Sequence, residues 1–317
     1  MRIVVVGGGA VGLLLAGRLA IAGLRVQLVT RGEEQANKLA TEPFRLQMLT
    51  GKVAEISVET ISFAGSLPAA DIYFLAVKQP ALPQLLSALS TIPRSACVVA
   101  LQNGMGHDEL LATVLKPDQL LFAVNTEGVR RHSPTFVEHT GQGSLRMGPM
   151  DRPGEPDRQI SRLMRMMQVA GIDCLYEQAM RPVMWRKLLA NALINPLTAL
   201  YEVPNGALVE HRFLLELMRV LFYEASEVAR AVALKITDVD WQDILTICRN
   251  TSRNQSSMLQ DLLSGRQTEI ESINGYIMRT SKRYGIAVPA HEALYRSILL
   301  KTSLRQARRE AFDDHSS

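Results

Sequence analysis

Cysteine is scarce in this chain of 317 residues, with only Cys97, Cys174 and Cys248 present. Spacing that wide excludes a metal-finger ligand set, and an odd, sparse count suits a reducing compartment better than a disulfide framework. Dense blocks of basic charge are missing too. The 35 basic residues against 31 acidic ones leave a formal charge of +4, with no cluster able to track a phosphate backbone, so no nucleic acid partner is expected. The mild positive excess suits an anionic small molecule steered into a cleft. Long apolar runs are absent as well, none reaching the ~20 residues of a membrane helix, so no membrane partner is expected. At the amino terminus Ile3 to Gly17 imitates a secretory leader, but Arg18 interrupts it and glycines crowd it; the expected location is cytoplasmic. Four catalytic signatures are also missing: the GxSxG elbow, the HExxH pair, the CxxC pair and the phosphate loop GxxxxGK[ST]. No metal site is expected, and hydride transfer by a borrowed cofactor is the chemistry left standing.

What is present reads as a folded α/β chain. At 47% hydrophobic and 21% charged residues, disorder and coiled coil are excluded, and the length suits one large or two ordinary domains. Ile3 to Val6 is a β-branched strand running into Gly7-Gly8-Gly9, and Ala10 to Ala22 has helical composition with Leu13, Leu14, Leu15 and Leu19 for a buried face. Gly23 stops that helix and Arg25 to Thr30 returns as strand, which completes a βαβ unit. Apolar runs at Ile72 to Val77, Cys97 to Leu101 and Leu120 to Val124 alternate with expected helices at Leu82 to Leu89 and His107 to Val114, the pattern of a mostly parallel sheet. Val53 to Phe63 and Thr135 to Met147 read as additional strands, both candidates for the far edge. Gly148 to Pro156 is a connection, and Arg158 to Val169 with Ile172 to Tyr176 supplies a last helix and strand. Long helical patterns follow at Met184 to Leu200, Leu208 to Leu234 and Asp240 to Ile247. The expected division is a Rossmann-type dinucleotide-binding domain over residues 1–178 and an all-α domain over 179–317. The tail from Gln306 is expected to fray.

The spacing Gly7-x-Gly9-x-x-Gly12 gains its meaning from the strand before it and the helix after it. Gly7 permits the tight turn, Gly9 lets a pyrophosphate approach, and Gly12 lets helix and strand pack closely; the helix amides then face the anion. At the end of the second strand an acidic residue would bind a ribose hydroxyl, whereas this chain has Thr30-Arg31, a cation that favours NADP. Lys78 and Asn103 follow two further strands at the carboxyl ends where ligands bind in such sheets.

Met184 to Leu200 is apolar on nearly every side, yet at 100° per residue Lys187, Asn191, Asn195 and Thr198 fall within about 80° of each other. A polar stripe on so apolar a helix is expected to face a polar cavity. An amine beside two carboxamides can bind a carboxylate, polarise a carbonyl and donate a proton once burial lowers its pKa from ~10.4. A lysine that simply extends into solvent is the alternative; Arg186, on the opposite flank, suits that role better. Ser256 reads as a helix cap. Glu269 either complements a helix dipole or holds an ammonium group.

Taken in order, GGGAVG at Gly7 to Gly12, AVK ending at Lys78, LQNGMG around Asn103, WRKLLANALINPLTAL from Trp185, PNG at Pro204 to Gly206 and NQSSMLQDLLSGRQTEIESINGYI from Asn254 resemble the ketopantoate reductases (2-dehydropantoate 2-reductases) over almost the whole chain. That family uses NADPH to reduce 2-dehydropantoate to (R)-pantoate on the route to pantothenate and coenzyme A. The resemblance implies that Lys187 protonates the developing alkoxide at C2, and that Asn103, Asn191, Asn195, Asn205 and Ser257 bind substrate with it. It implies cofactor binding by Gly7, Gly8, Gly9, Ala10, Val11, Gly12, Arg31, Lys78, Asn103, Val129 and Glu269. One segment departs: the family often places a Thr-x-x-His-Ala type sequence before its paired arginines, where Asn125-Thr126-Glu127-Gly128 here precedes Arg130-Arg131. Two other readings stay open, a paralogous reductase of a different 2-oxo acid and a non-catalytic dinucleotide-binding module. Apolar faces such as Leu214 to Phe222 suit a homodimer and internal packing equally.

Overall fold

The computed structural model describes residues 1–151 and 154–314. They form two compact units, Met1–Gln102 with His107–Val183, and Asn103–Gly106 with Met184–Ser317. In chain order the first unit contains β1 (Ile3–Val6), α1 (Ala10–Ile21), β2 (Val26–Thr30), α2 (Glu33–Thr41), β3 (Phe44–Gln47), β4 (Val53–Ile56), β5 (Glu59–Ser62) and β6 (Ile72–Leu75). It continues with α3 (Leu86–Ser90), β7 (Cys97–Ala100), α4 (His107–Leu111), β8 (Leu120–Asn125), β9 (Gly128–Ser133), β10 (Phe136–Gly141), β11 (Leu145–Gly148), α5 (Arg158–Val169) and β12 (Cys174–Tyr176).

Eight strands make the main sheet, in the order β12-β11-β8-β7-β6-β1-β2-β5. From β8 to β5 every neighbouring pair is parallel, and β11 runs antiparallel to β8. Every residue of β1, β6 and β7 is buried. Unbroken apolar runs of this kind belong to parallel strands covered on both faces. The neighbours of β1 are β2 on one side and β6 on the other, so the strand order reverses there, and the carboxyl ends at that point form the crevice such sheets offer to ligands.

The two additional stretches each divide between sheets. Val53 to Phe63 supplies β4 to a second, four-stranded sheet, β4-β3-β10-β9, and β5 to the edge of the main one. Thr135 to Met147 likewise splits into β10 and β11. The helix expected at Leu82 to Leu89 opens as a 3-10 helix, Gln79–Leu85, with Pro83 inside it, and becomes α-helical only at Leu86; a proline cannot donate the α-helical bond at that point. The expected connection Gly148 to Pro156 includes residues 152 and 153, which lie outside the described residues. This unit runs on to Val183, where Met180 and Arg181 donate backbone bonds to Pro149 and Met150.

The second unit is helical: α6 (Arg181–Tyr201, whose first residues belong to the sheet unit), α7 (Ala207–Glu210), α8 (Arg212–Ala231), α9 (Asp238–Asn250), α10 (Ser257–Leu263), α11 (Asn274–Arg283) and α12 (Pro289–Asp314). Residues 192–199 of α6 are buried without a break, which makes it the central helix of the unit. On α8, Met218, Leu221, Phe222, Ala225, Val228 and Ala229 turn inward, while Phe213, Val220 and Tyr223 stay exposed. The tail expected to fray continues α12 to Asp314, since Leu304 to Ala311 are mostly strong helix formers; residues 315–317 lie outside the described residues. The three cysteines are buried and unpaired. Among the described residues no helix is long and apolar enough to cross a membrane.

Candidate active site

In the sheet unit the glycine turn is a backbone cradle. Gly7 has φ +119°, and a Cβ there would lie 2.8 Å from the Ala76 carbonyl carbon. A Cβ at Gly12 would come within 1.9 Å of the Gly7 oxygen, so only glycine allows α1 to start so close to the strand. Gly9 meets only the Ala76 oxygen, at 3.9 Å, leaving open space above it. Gly9 also caps α1 without a side-chain hydrogen bond, which leaves the first amides, from Ala10 and Val11 onward, for an anion. A dinucleotide pyrophosphate fits this cradle.

Two sequence candidates stand around it, since β1, β2 and β6 are neighbours in parallel register. Arg31, exposed, follows β2, and Lys78, exposed, follows β6. Val129 lies on β9 opposite His139 and packs against the apolar core, so its backbone is what it can offer to a ligand. Sequence reasoning missed two more residues. The Gly8 carbonyl accepts from Gln35 Nε2 at 2.8 Å and from an Arg131 guanidinium nitrogen at 2.9 Å. Gln35 lies on α2, a helix too polar to stand out, whereas the Arg130-Arg131 pair was visible without its purpose.

The departing loop has a local explanation. Glu127 is buried and pairs with Arg18 of α1 at 2.6 Å, and His139 Nε2 lies 3.8 Å from the same carboxylate oxygen. Arg18 also donates to the Gly171 carbonyl. A buried guanidinium needs an anion, and Glu127 supplies it.

In the helical unit the residues that gather are Lys187, Asn103 and Glu269. Asn103 belongs to this unit through the turn 103–106, which docks by a bond from Met105 N to Ser272 O at 3.0 Å. Gly104, at φ +80°, makes that possible, because a Cβ would sit 2.2 Å from the Ser272 oxygen. Asn103 Nδ2 then donates to Glu269 Oε2 at 3.1 Å, and Glu269 is buried. Lys187, half-buried on α6, has its pKa lowered to about 8 by burial of the amine, while the Glu269 carboxylate works in the opposite direction. Such an amine is charged at neutral pH and still a competent proton donor.

Asn191 is half-buried and Asn195 buried on the same helix. Thr198 turns its hydroxyl to the Ile194 carbonyl at 2.8 Å and to Ser256 Oγ at 2.7 Å, so it ties the fold together. Ser256 accepts from Leu259 N as the cap of α10, which presents Ser257, exposed, as the next residue. Asn205 donates to Thr251 Oγ1 at 2.9 Å, while its buried Oδ1 has no partner among the described residues. Arg186 is exposed and pairs with Asp240 at 3.1 Å, as its flank suggested.

Residues 3–152 match the family described as ketopantoate reductase PanE/ApbA, and residues 179–302 match its C-terminal counterpart. The chain belongs to the ketopantoate reductase family. Among family relatives, the 2-dehydropantoate 2-reductase of Bacillus subtilis is 34% identical over 94% of this chain and 96% of its own length. That of Vibrio cholerae is 32% identical over 94% and 97%. The crystal structure of a PanE/ApbA family ketopantoate reductase from Ralstonia eutropha has a TM-score of 0.88 at 29% identity, covering 96% of this chain and 100% of that one. D-mandelate dehydrogenase in a ternary structure with NADH and anilino(oxo)acetate shares the fold, with a TM-score of 0.87 at 22% identity, covering 96% of this chain and 99% of that one.

Proposed function

We propose that this protein reduces 2-dehydropantoate to (R)-pantoate with NADPH, Lys187 serving as the proton donor. The observation that carries the reading is Lys187 itself, an amine lowered to about 8 beside Glu269, in a chain about a third identical to 2-dehydropantoate 2-reductases along nearly its whole length.

In this reading residues 1–178 hold the cofactor, through Gly7 to Gly12, Arg31, Lys78 and the Val129 backbone, and residues 179–317 hold the substrate. When bound, NADPH supplies the hydride that reduces C2. Lys187 polarises the C2 carbonyl and delivers its proton to the oxygen as negative charge develops there. Glu269, fixed by Asn103, keeps Lys187 charged in spite of its burial. Asn103 and Glu269 would also help hold the cofactor. Asn191, Asn195, Asn205 and Ser257 bind the carboxylate and hydroxyl groups, and the unpartnered Asn205 Oδ1 is an acceptor waiting for a hydroxyl. The exposed apolar side chains of α8 suit a homodimer, which sedimentation would test. Three buried free thiols suit the cytoplasm.

Steady-state NADPH oxidation with 2-dehydropantoate, beside NADH and a panel of other 2-oxo acids, tests the reading. The expected result is the highest kcat/KM for 2-dehydropantoate with NADPH. A different preferred acid would replace the substrate and keep the lysine mechanism. Tight NADPH binding with no turnover on any acid would overturn the enzyme reading.

A further inference from the structure

The middle of α6 contains a break in its own hydrogen bonding. Pro196 has no N–H, so the carbonyl of Ala192, four residues earlier, loses its helical donor, and the proline ring presses on that same carbonyl. Both residues are buried, where a carbonyl cannot turn to water. Asn274, the first residue of α11 and wholly buried, fills the gap: its Nδ2 donates to the Ala192 oxygen at 3.0 Å. The same nitrogen lies 3.0 Å from Nδ1 of His291 on α12, whose Nε2 lies 3.0 Å from the Leu221 carbonyl of α8.

One protonation pattern satisfies these contacts. An amide nitrogen only donates, so His291 Nδ1 accepts, and Nε2 carries the proton that goes to Leu221. Burial pushes the His291 pKa down to about 4, so the ring stays neutral through the physiological range. The Glu224 carboxylate accepts from the backbone amides of Ala290 and His291 at 2.9 and 3.0 Å, which fixes the start of α12 and the ring with it. Asn274 also ends the segment that begins at Glu269 and includes Ser272, the anchor of the Asn103 turn. One side chain therefore joins the helix that carries Lys187 to the segment that carries its carboxylate.

We propose that Asn274 is a positioning residue that replaces the N–H missing from Pro196 and, backed by His291, holds α6 in the geometry that sets Lys187 against Glu269. The use made of Lys187 rests on the proposed reaction; the contact and its effect on the lysine do not.

The test compares Asn274→Ala, Pro196→Ala and the double variant by denaturant unfolding. Pro196→Ala brings back the helical N–H, so the loss caused by Asn274→Ala is expected to shrink by at least about half in that background. Equal losses in both backgrounds would overturn the replacement. A second readout needs neither substrate nor cofactor: the Lys187 ε-carbon, followed by NMR, is expected to change its titration midpoint by about half a unit or more in Asn274→Ala and to return toward wild type in the double variant. An unmoved midpoint would overturn the positioning role. Turnover should fall about tenfold or more in Asn274→Ala, since small misplacements of a donor are costly. If Asn274→Ala does not fold, rescue by Pro196→Ala supports the proposal and failure of that rescue overturns it. A wild-type protein inactive on every 2-oxo acid would defeat the function proposed above while leaving the unfolding cycle and the titration to decide this one.

Discussion

The cradle of the sheet unit and the lysine group of the helical unit are built from opposite materials. The cradle is backbone from one short stretch, Gly7 to Gly12, whose requirements are met by having no side chain at all. The lysine group is side chains from three remote stretches, α6, the turn 103–106 and the segment after Gln267, and it works through burial and charge. A site of the first kind carries its geometry in its local spacing. A site of the second kind carries only its chemistry there, and the geometry arrives with the tertiary fold.

The largest expected effect comes from breaking the second kind. Lys187→Met should lower kcat by about 10²- to 10⁴-fold, the range for loss of a positioned acid, while NADPH binding survives. The same change should stabilise the protein at pH 7. The native pKa of about 8 lies below the ordinary lysine value of 10.5, so between those values the unfolded chain binds more protons and stability rises with pH. Below about 8 the buried charge is fully present and its penalty is complete. The stability gain of Lys187→Met should therefore be greatest near neutrality and fade by about pH 10.5. Thermal unfolding of both proteins from pH 6 to 10 checks this; a variant less stable than wild type at pH 7 would show that the ammonium is welcomed by its surroundings.

Breaking the first kind should cost stability and binding together. Gly12→Ala forces a Cβ against the Gly7 carbonyl and should destabilise by about 1–3 kcal/mol while weakening NADPH binding. Gly9→Ala separates the two effects. Its Cβ meets nothing closer than 3.9 Å and its φ of −77° suits any residue, so folding should lose only about 1 kcal/mol, the cost of alanine where glycine caps a helix, while the added methyl obstructs the pyrophosphate. Calorimetry of unfolding beside NADPH titration distinguishes the two glycines.

That contrast explains what was legible in the sequence. The βαβ start and the parallel core strands could be read because β1, β6 and β7 are apolar at every position and glycines punctuate them. The division of Val53 to Phe63 between two sheets could not, because strand pairing is decided by distant partners, β3 for β4 and β2 for β5. On the helix of the lysine group, helix phase singled out Lys187, Asn191, Asn195 and Thr198 together, and the Thr198 hydroxyl turns back onto its own helix. Phase records direction around a helix and says nothing of what waits there. The Glu127 departure was visible as an anomaly, and its partner Arg18 is more than a hundred residues away in the chain.

A smaller effect is expected at the rim of the cradle. Arg31 is exposed, so a bond from it to a 2′-phosphate would compete with water. Arg31→Ala should raise the KM for NADPH about tenfold and leave that for NADH unchanged. Steady-state kinetics with both cofactors checks this; an unmoved preference would place the discrimination elsewhere along the turn after β2.

Glu269→Gln gives the smallest change and the sharpest distinction between the two kinds of site, because Glu269 was assigned to the cofactor on resemblance while its contacts include Asn103 and the charge of Lys187. Glutamine keeps the size and an oxygen able to accept from Asn103. It removes the negative charge that raises the Lys187 pKa, so that pKa should fall below about 8, and the fraction of protonated lysine should decline at a lower pH. The alkaline limb of kcat should then move to lower pH by about half a unit to one unit, with the KM for NADPH little altered. A fixed limb with a raised KM for NADPH would return Glu269 to the cofactor. A limb that moves while KM holds makes Glu269 the partner of the lysine, and the side-chain group of the helical unit then sets its own working pH.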